Sequence, residues 1–122
     1  MLEGVLIAES LRIGAQVSGI PLRITKLARV EMATAGRDQP RYWTVLDFAA
    51  DDSEAPRLAG ELASCLAPTG GWYADFHTPA ETYVVFADKV FRYPRGQVDG
   101  RRAAQGYGRS VGVPEAQLDW GE

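Results

Sequence analysis

Tyr73, Asp75 and His77 stand two residues apart in the stretch WYADFHTP (72–79), and His77 is the chain's sole histidine. Residues two apart on a strand share a face. A ring that titrates near neutrality, a carboxylate that can orient it and a phenol are the groups of general acid–base catalysis. The same row also suits a solvated strand face or a recognition surface. Neighbours at i and i+2 lie about 6–7 Å apart along a strand and touch only in favourable rotamers.

Glu9 and Lys26 form the second candidate pair. Glu9 falls in step with the apolar positions Ile7 and Leu11, and Lys26 in step with Ile24 and Ala28. A charge on an apolar face is costly unless paired. Pairing of the two segments brings both onto one sheet face, as a pocket-lining ion pair or as two wet residues beside a bulge. Two functional readings follow. The leading one is a non-enzymatic binding module in which Tyr73, Asp75 and His77, with Tyr83 and Val85 on the next strand, meet a partner protein, a second copy in a homodimer, or a small apolar ligand. The alternative is a small acid–base enzyme of the lyase, isomerase or hydrolase type, using His77 with Asp75 or Tyr73, or Glu9 with Lys26.

Several chemistries lack their motifs. The sequence shows no P-loop, dinucleotide fingerprint, nucleophile elbow or paired metal histidines. One histidine and one cysteine make a zinc site an unusual expectation, so neither metal nor cofactor is expected. The glycine-spaced GYGRSVG (106–112) lacks the phosphate-loop spacing and sits in a helical pattern. Net charge is −3, with seven basic and nine acidic residues in 1–66 and six and seven in 67–122. No basic stripe stands out, so nucleic acid is not an expected partner. Eleven arginines against two lysines, no asparagine and many Ala and Gly fit a GC-rich bacterial coding bias. Residues 1–20 lack the pattern of a signal peptide, and no apolar run approaches a membrane span. A soluble cytoplasmic protein is the expectation, and a single thiol agrees with a reducing compartment.

The elements that must position these residues are read from periodicity. Alternation predicts strands over 2–17 and 22–32, paired as a hairpin through SGIP, and over 41–50, 72–78, 81–87 and 89–94, the last two joined by a tight turn at Ala87–Asp88–Lys89. Helical spacing predicts helices over 54–67, opened by the acidic DDSE, and over 100–111, closed by Gly112. Leu118 and Trp120 are expected to dock the final turn, which begins near Pro114. The result is a single α+β domain of order β-β-β-α-β-β-β-α: a two-layer, mostly antiparallel sheet with both helices on one face. Trp72, Ala74 and Phe76 should face the helices. The strands are apolar on both sides, so either terminal segments cover the second face or it forms an open aromatic surface.

Cys65 shares the stripe of Leu58, Leu62 and Leu66 on the first helix and is expected to be a buried, inert thiol. Native protein should label slowly with a thiol reagent and denatured protein at once. Cys65→Ala should cost about 1 kcal/mol or somewhat more in a urea titration; rapid native labelling contradicts the reading.

Overall fold

The computed structural model describes residues 1–121. The chain forms β1 (Leu2–Ile7), β2 (Arg23–Glu31), β3 (Tyr42–Ala50), α1 (Ala55–Cys65), β4 (Ala74–His77), β5 (Glu81–Phe86), β6 (Lys89–Pro94) and α2 (Val98–Ser110). The strands make one sheet of order β2-β3-β1-β4-β5-β6, and every neighbouring pair is antiparallel. This is an α+β fold with the expected element order. Among the described residues no helix is long and apolar enough to cross a membrane.

The sequence reading places both helices on one face; the structure gives them one face each. Leu2, Leu6, Phe48, Phe76, Tyr83 and Val85 pack with Leu58 and Leu62 of α1. Val84, Phe86 and Tyr93 pack with Ala104 of α2 and with Val113, Leu118 and Trp120 beyond it. The cause is β5, where every residue from Thr82 to Phe86 is buried. Its side chains alternate between the two sides, so each side needs a cover. Helix and tail together supply the second one.

The first predicted strand is too long, and its hairpin does not form. β1 ends at Ile7, and Ala8–Ser10 make a 3-10 turn in which the buried Ser10 hydroxyl donates to the Ile7 carbonyl (2.6 Å). Leu11, Val17, Ile20 and Leu22 then pack against the α1 core without joining the sheet. This loop is held by Arg12 N–H to the Cys65 carbonyl (2.9 Å) and Ala67 N–H to the Ser10 carbonyl (2.8 Å). Leu11 and Val17 of its apolar alternation record partial burial on α1, not ladder pairing, and Ile13 between them is exposed. β1 pairs instead with β3 and β4, and β2 hangs on the outer edge of β3. That edge is blunted by a bulge between Ile24 and Lys26 and carries Arg23, Lys26 and Arg29, features that discourage edge-to-edge pairing.

Other local signals hold. The β5–β6 turn comes at Ala87–Asp88, with Asp88 at φ +57°, and the Asp88 amide docks on the Ala63 carbonyl of α1 (2.9 Å). Gly112 takes φ +90° just past α2, and Val113 N–H closes on the Gly108 carbonyl (2.9 Å), the bond expected of a left-handed helix stop. Val111, expected as the last residue of the second helix, lies past the helix end and is exposed. Cys65 is buried and its thiol donates to the Gln16 carbonyl (3.3 Å).

Gly4 lets the central strand fit. It pairs with Phe48 on one side and Phe76 on the other. A Cβ here would stand 2.4 Å from Phe76 Cβ, 2.6 Å from the Asp75 carbonyl oxygen and 2.7 Å from Phe48 Cζ. Gly4→Ala should therefore lower unfolding free energy by about 2–3 kcal/mol or more, read as a shift of the urea midpoint. An unchanged midpoint would show that the sheet relaxes around the methyl group.

Candidate functional site

β4 carries Asp75 and His77, and Tyr73 directly precedes it. Ala74 and Phe76 enter the α1 core, with Phe76 stacked on Tyr83 (centroids 4.7 Å, planes 11° apart). Asp75 and His77 point to the opposite side, as alternation requires. Tyr73, one residue before the strand, joins them there, against Phe86 (6.0 Å) and Trp120 (5.4 Å). Tyr73, Asp75 and His77 thus share a side as expected. Trp72 does not accompany Phe76. Gly70 and Gly71 turn the chain at positive φ, and Trp72 packs on Trp43 (5.2 Å).

Tyr83 and Val85 are not on this side. The register pairs Ala74 with Val85 and Phe76 with Tyr83, so both residues lie under α1. Asp75 is level with Val84, and His77 with Thr82. Assigning Tyr83 and Val85 to the binding row fails because the register of the hairpin partner is set by the turn between strands, which alternation within each strand does not reveal.

The Glu9–Lys26 pair also dissolves. Lys26 is level with Asp47 of β3, whereas Glu9 reaches the opposite sheet side, where Arg29 is level with Thr44. The Glu9 carboxylate accepts from Thr44 N–H (2.6 Å), Thr44 Oγ1 (2.9 Å) and Arg29 Nη1 (3.0 Å). The β1–β3 ladder stops at Ile7 and Val45, so the next β3 amide, that of Thr44, has lost its strand partner. Glu9 takes that place, in keeping with the need of a backbone donor for an acceptor. Burial pushes its pKa up, but the Thr44 bonds and the Arg29 charge outweigh that and hold it below the ordinary 4.5.

Two adjoining hollows open on the β1–β4 side that carries Asp75. The first, of about 290 Å³, is walled by Trp43, Trp72, Tyr73 and Trp120 over Val5 and Ile7, with Asp75 and Asp119 at its margin. All three tryptophans of the chain meet there. The second, of about 350 Å³, shares Val5 and Asp75 and is lined by Glu3, Asp47 and His77. His77 Nε2 stands 3.9 Å from Glu3 Oε2. Among the described residues no group of three or more His, Cys, Asp or Glu is placed to hold a metal ion.

The C-terminal segment builds the far wall. Tyr73 Oη donates to the Gln117 carbonyl. The Gln117 side chain donates to the Thr34 carbonyl (2.8 Å) and meets Gln39. Trp120 Nε1 donates to Tyr93 Oη (2.8 Å), and Arg101 donates to the Trp120 carbonyl (2.9 Å). Burial, then the Asp75 and Asp119 carboxylates, push the Tyr73 phenol well above its ordinary 10; Arg101 pulls the other way. Tyr73 is therefore a fixed neutral donor, not a base. Trp43, Gln117, Asp119 and Trp120 were not readable as one site, because they come from β3 and the tail and share no spacing signal.

Compared with protein-family models, with curated proteins and with solved structures, the chain matches none.

Glu9→Gln should cost about 1 kcal/mol at neutral pH, for a partly exposed charge-assisted bond. A folded pKa below the unfolded one gives stability that is full above pH ~4.5 and is lost as pH falls through the lowered value. The difference between wild type and variant in urea titrations should shrink accordingly in acid. A difference that persists unchanged there would remove the charge from the account.

Proposed function

We propose that this protein is a non-enzymatic binding module whose site is the tryptophan-walled cleft on the second sheet face, with a small, largely apolar ligand as its occupant. The observation that carries the reading is the convergence of three tryptophans and Tyr73 over Val5 and Ile7, just where the cover of α2 and the tail stops. Rigid aromatic rings around an apolar floor, with a few polar groups at the margin, are the usual composition of a ligand pocket. The volume stands at the lower end of the ~300–1,000 Å³ typical of such pockets, which favours a small ligand over a large one.

The acid–base reading keeps one support: Asp75 and His77 line the second hollow together with Glu3 and Asp47. Its other pair is spent on structure, since Glu9 ties Thr44 and Arg29 and lies on the opposite side from Lys26.

The neutral fluorophore N-phenyl-1-naphthylamine should bind saturably, with a blue-shifted emission. Val5→Tyr keeps strand propensity but fills the floor, and should weaken that binding at least about tenfold with the circular dichroism unchanged. Equal binding by wild type and Val5→Tyr would move the site elsewhere. Turnover that disappears in His77→Ala while binding survives would favour the enzyme.

A further inference from the structure

We propose that the group this cleft selects is an organic cation: an alkylammonium or guanidinium carried on a short apolar body. The inference rests on the cleft being a binding site and adds the charge of its ligand.

The register fixes the charges first. Val5, on the cleft floor, is level with Asp47 of β3 on one side and with Asp75 of β4 on the other. Both carboxylates therefore flank Val5 on its own sheet side. Glu3, two residues earlier on the same strand, lies on that side too, level with His77. Asp119 adds a fourth carboxylate from the tail, at the margin of the first hollow. Neither hollow has a lysine or arginine among its described lining residues. The cations around them stand outside: Lys26, level with Asp47, Arg23, level with Ala49 and so across β3 from Glu3, and Arg101, packed on Trp120. Among the described residues, four carboxylates line the hollows against three cations that stand outside them, which leaves the mouth negative.

The walls agree with that sign. The face of an aromatic ring attracts a cation, tryptophan most strongly. One cleft ring already takes one: the Arg101 guanidinium carbon stands 5.0 Å from the Trp120 ring centroid. Desolvation discriminates further. Asp75 lines both hollows, so any ligand seated on Val5 strips water from its carboxylate. A neutral ligand brings no opposite charge to that carboxylate, and an anion adds repulsion. A cation pairs with the carboxylate as it dries.

All three tryptophans line the cleft, so the intrinsic fluorescence of the full chain reads this site. The test is a titration with n-butylammonium, 1-butanol and butyrate at low ionic strength. Butylammonium should saturate and bind at least about tenfold more tightly than 1-butanol, butyrate should not bind, and added salt should weaken the amine alone. Asp75→Asn and the exposed Asp119→Asn should each narrow the gap between amine and alcohol. The ammonium has two sources. Tighter binding of acetyl-Gly-Lys-Gly-amide than of butylammonium gives it to a peptide and the reverse order to a free amine, and either supports the inference. Alcohol binding as tightly as amine overturns the cation and leaves the binding module standing. An amine preference untouched in both variants also overturns it, since the charge would then act elsewhere. No response to any ligand, with no binding of the neutral fluorophore, overturns both.

Discussion

The two-sided burial of β5 is the constraint on which the architecture turns. Thr82 to Phe86 are all inside, and a strand sends successive side chains to opposite sides. Tyr83 and Val85 require α1, and Val84 and Phe86 require α2 and the tail. The α1 core is aliphatic around three rings, with Phe76 stacked on Tyr83 and tilted against Phe48. The other core is an aromatic chain in which Phe86 touches Tyr73, Phe91 and Tyr107. A helix covers only the side of the sheet on which it lies, so two buried sides need two covers.

Among the described residues the cover on the second side is incomplete, and the cleft lies where it is missing. α2 runs against β5 and β6, while the tail returns past Tyr73 and Asp75, and Gly121 lines both hollows. In the cleft Val5, Ile7 and Asp75 keep contact with solvent, whereas Trp43, Trp72 and Trp120 are almost fully packed. The rings are therefore held rigid by their own contacts and by the bonds of Trp43 Nε1 to the Pro40 carbonyl (2.8 Å) and Trp120 Nε1 to Tyr93. A site built from fixed aromatic walls loses little conformational entropy when it is filled.

The opposite side shows how a lone carboxylate can be structural. Glu9 looks anomalous only while 2–17 is read as one strand. Once β1 ends at Ile7, the carboxylate stands where a ladder acceptor is missing and replaces it for Thr44, with Arg29 as counter-charge. The ion pair is peripheral, with the arginine well exposed. Its energetic value is that of a capped strand end more than that of a salt bridge.

The sequence by itself determined the type and number of elements, the boundaries of β6 and, within a few residues, those of β2 to β5 and both helices. It also determined the burial of Cys65, the docking of Leu118 and Trp120, and the division of β4 into Phe76 on one side and Asp75 and His77 on the other. These are local consequences of period two, period 3.6 and stop signals. Long-range packing alone sets β3 between β1 and β2, puts the helices on opposite faces, turns Tyr83 and Val85 away from Asp75, and brings Trp43, Trp72 and Trp120 together. The physical reason is common to all four. Apolar alternation records that a side chain leaves water, and leaves open which element removes it. Partial burial of Leu11 and Val17 against the α1 core gives the same pattern as burial in a ladder, and Trp43, Trp72 and Trp120 become neighbours only through strand order and the return of the tail.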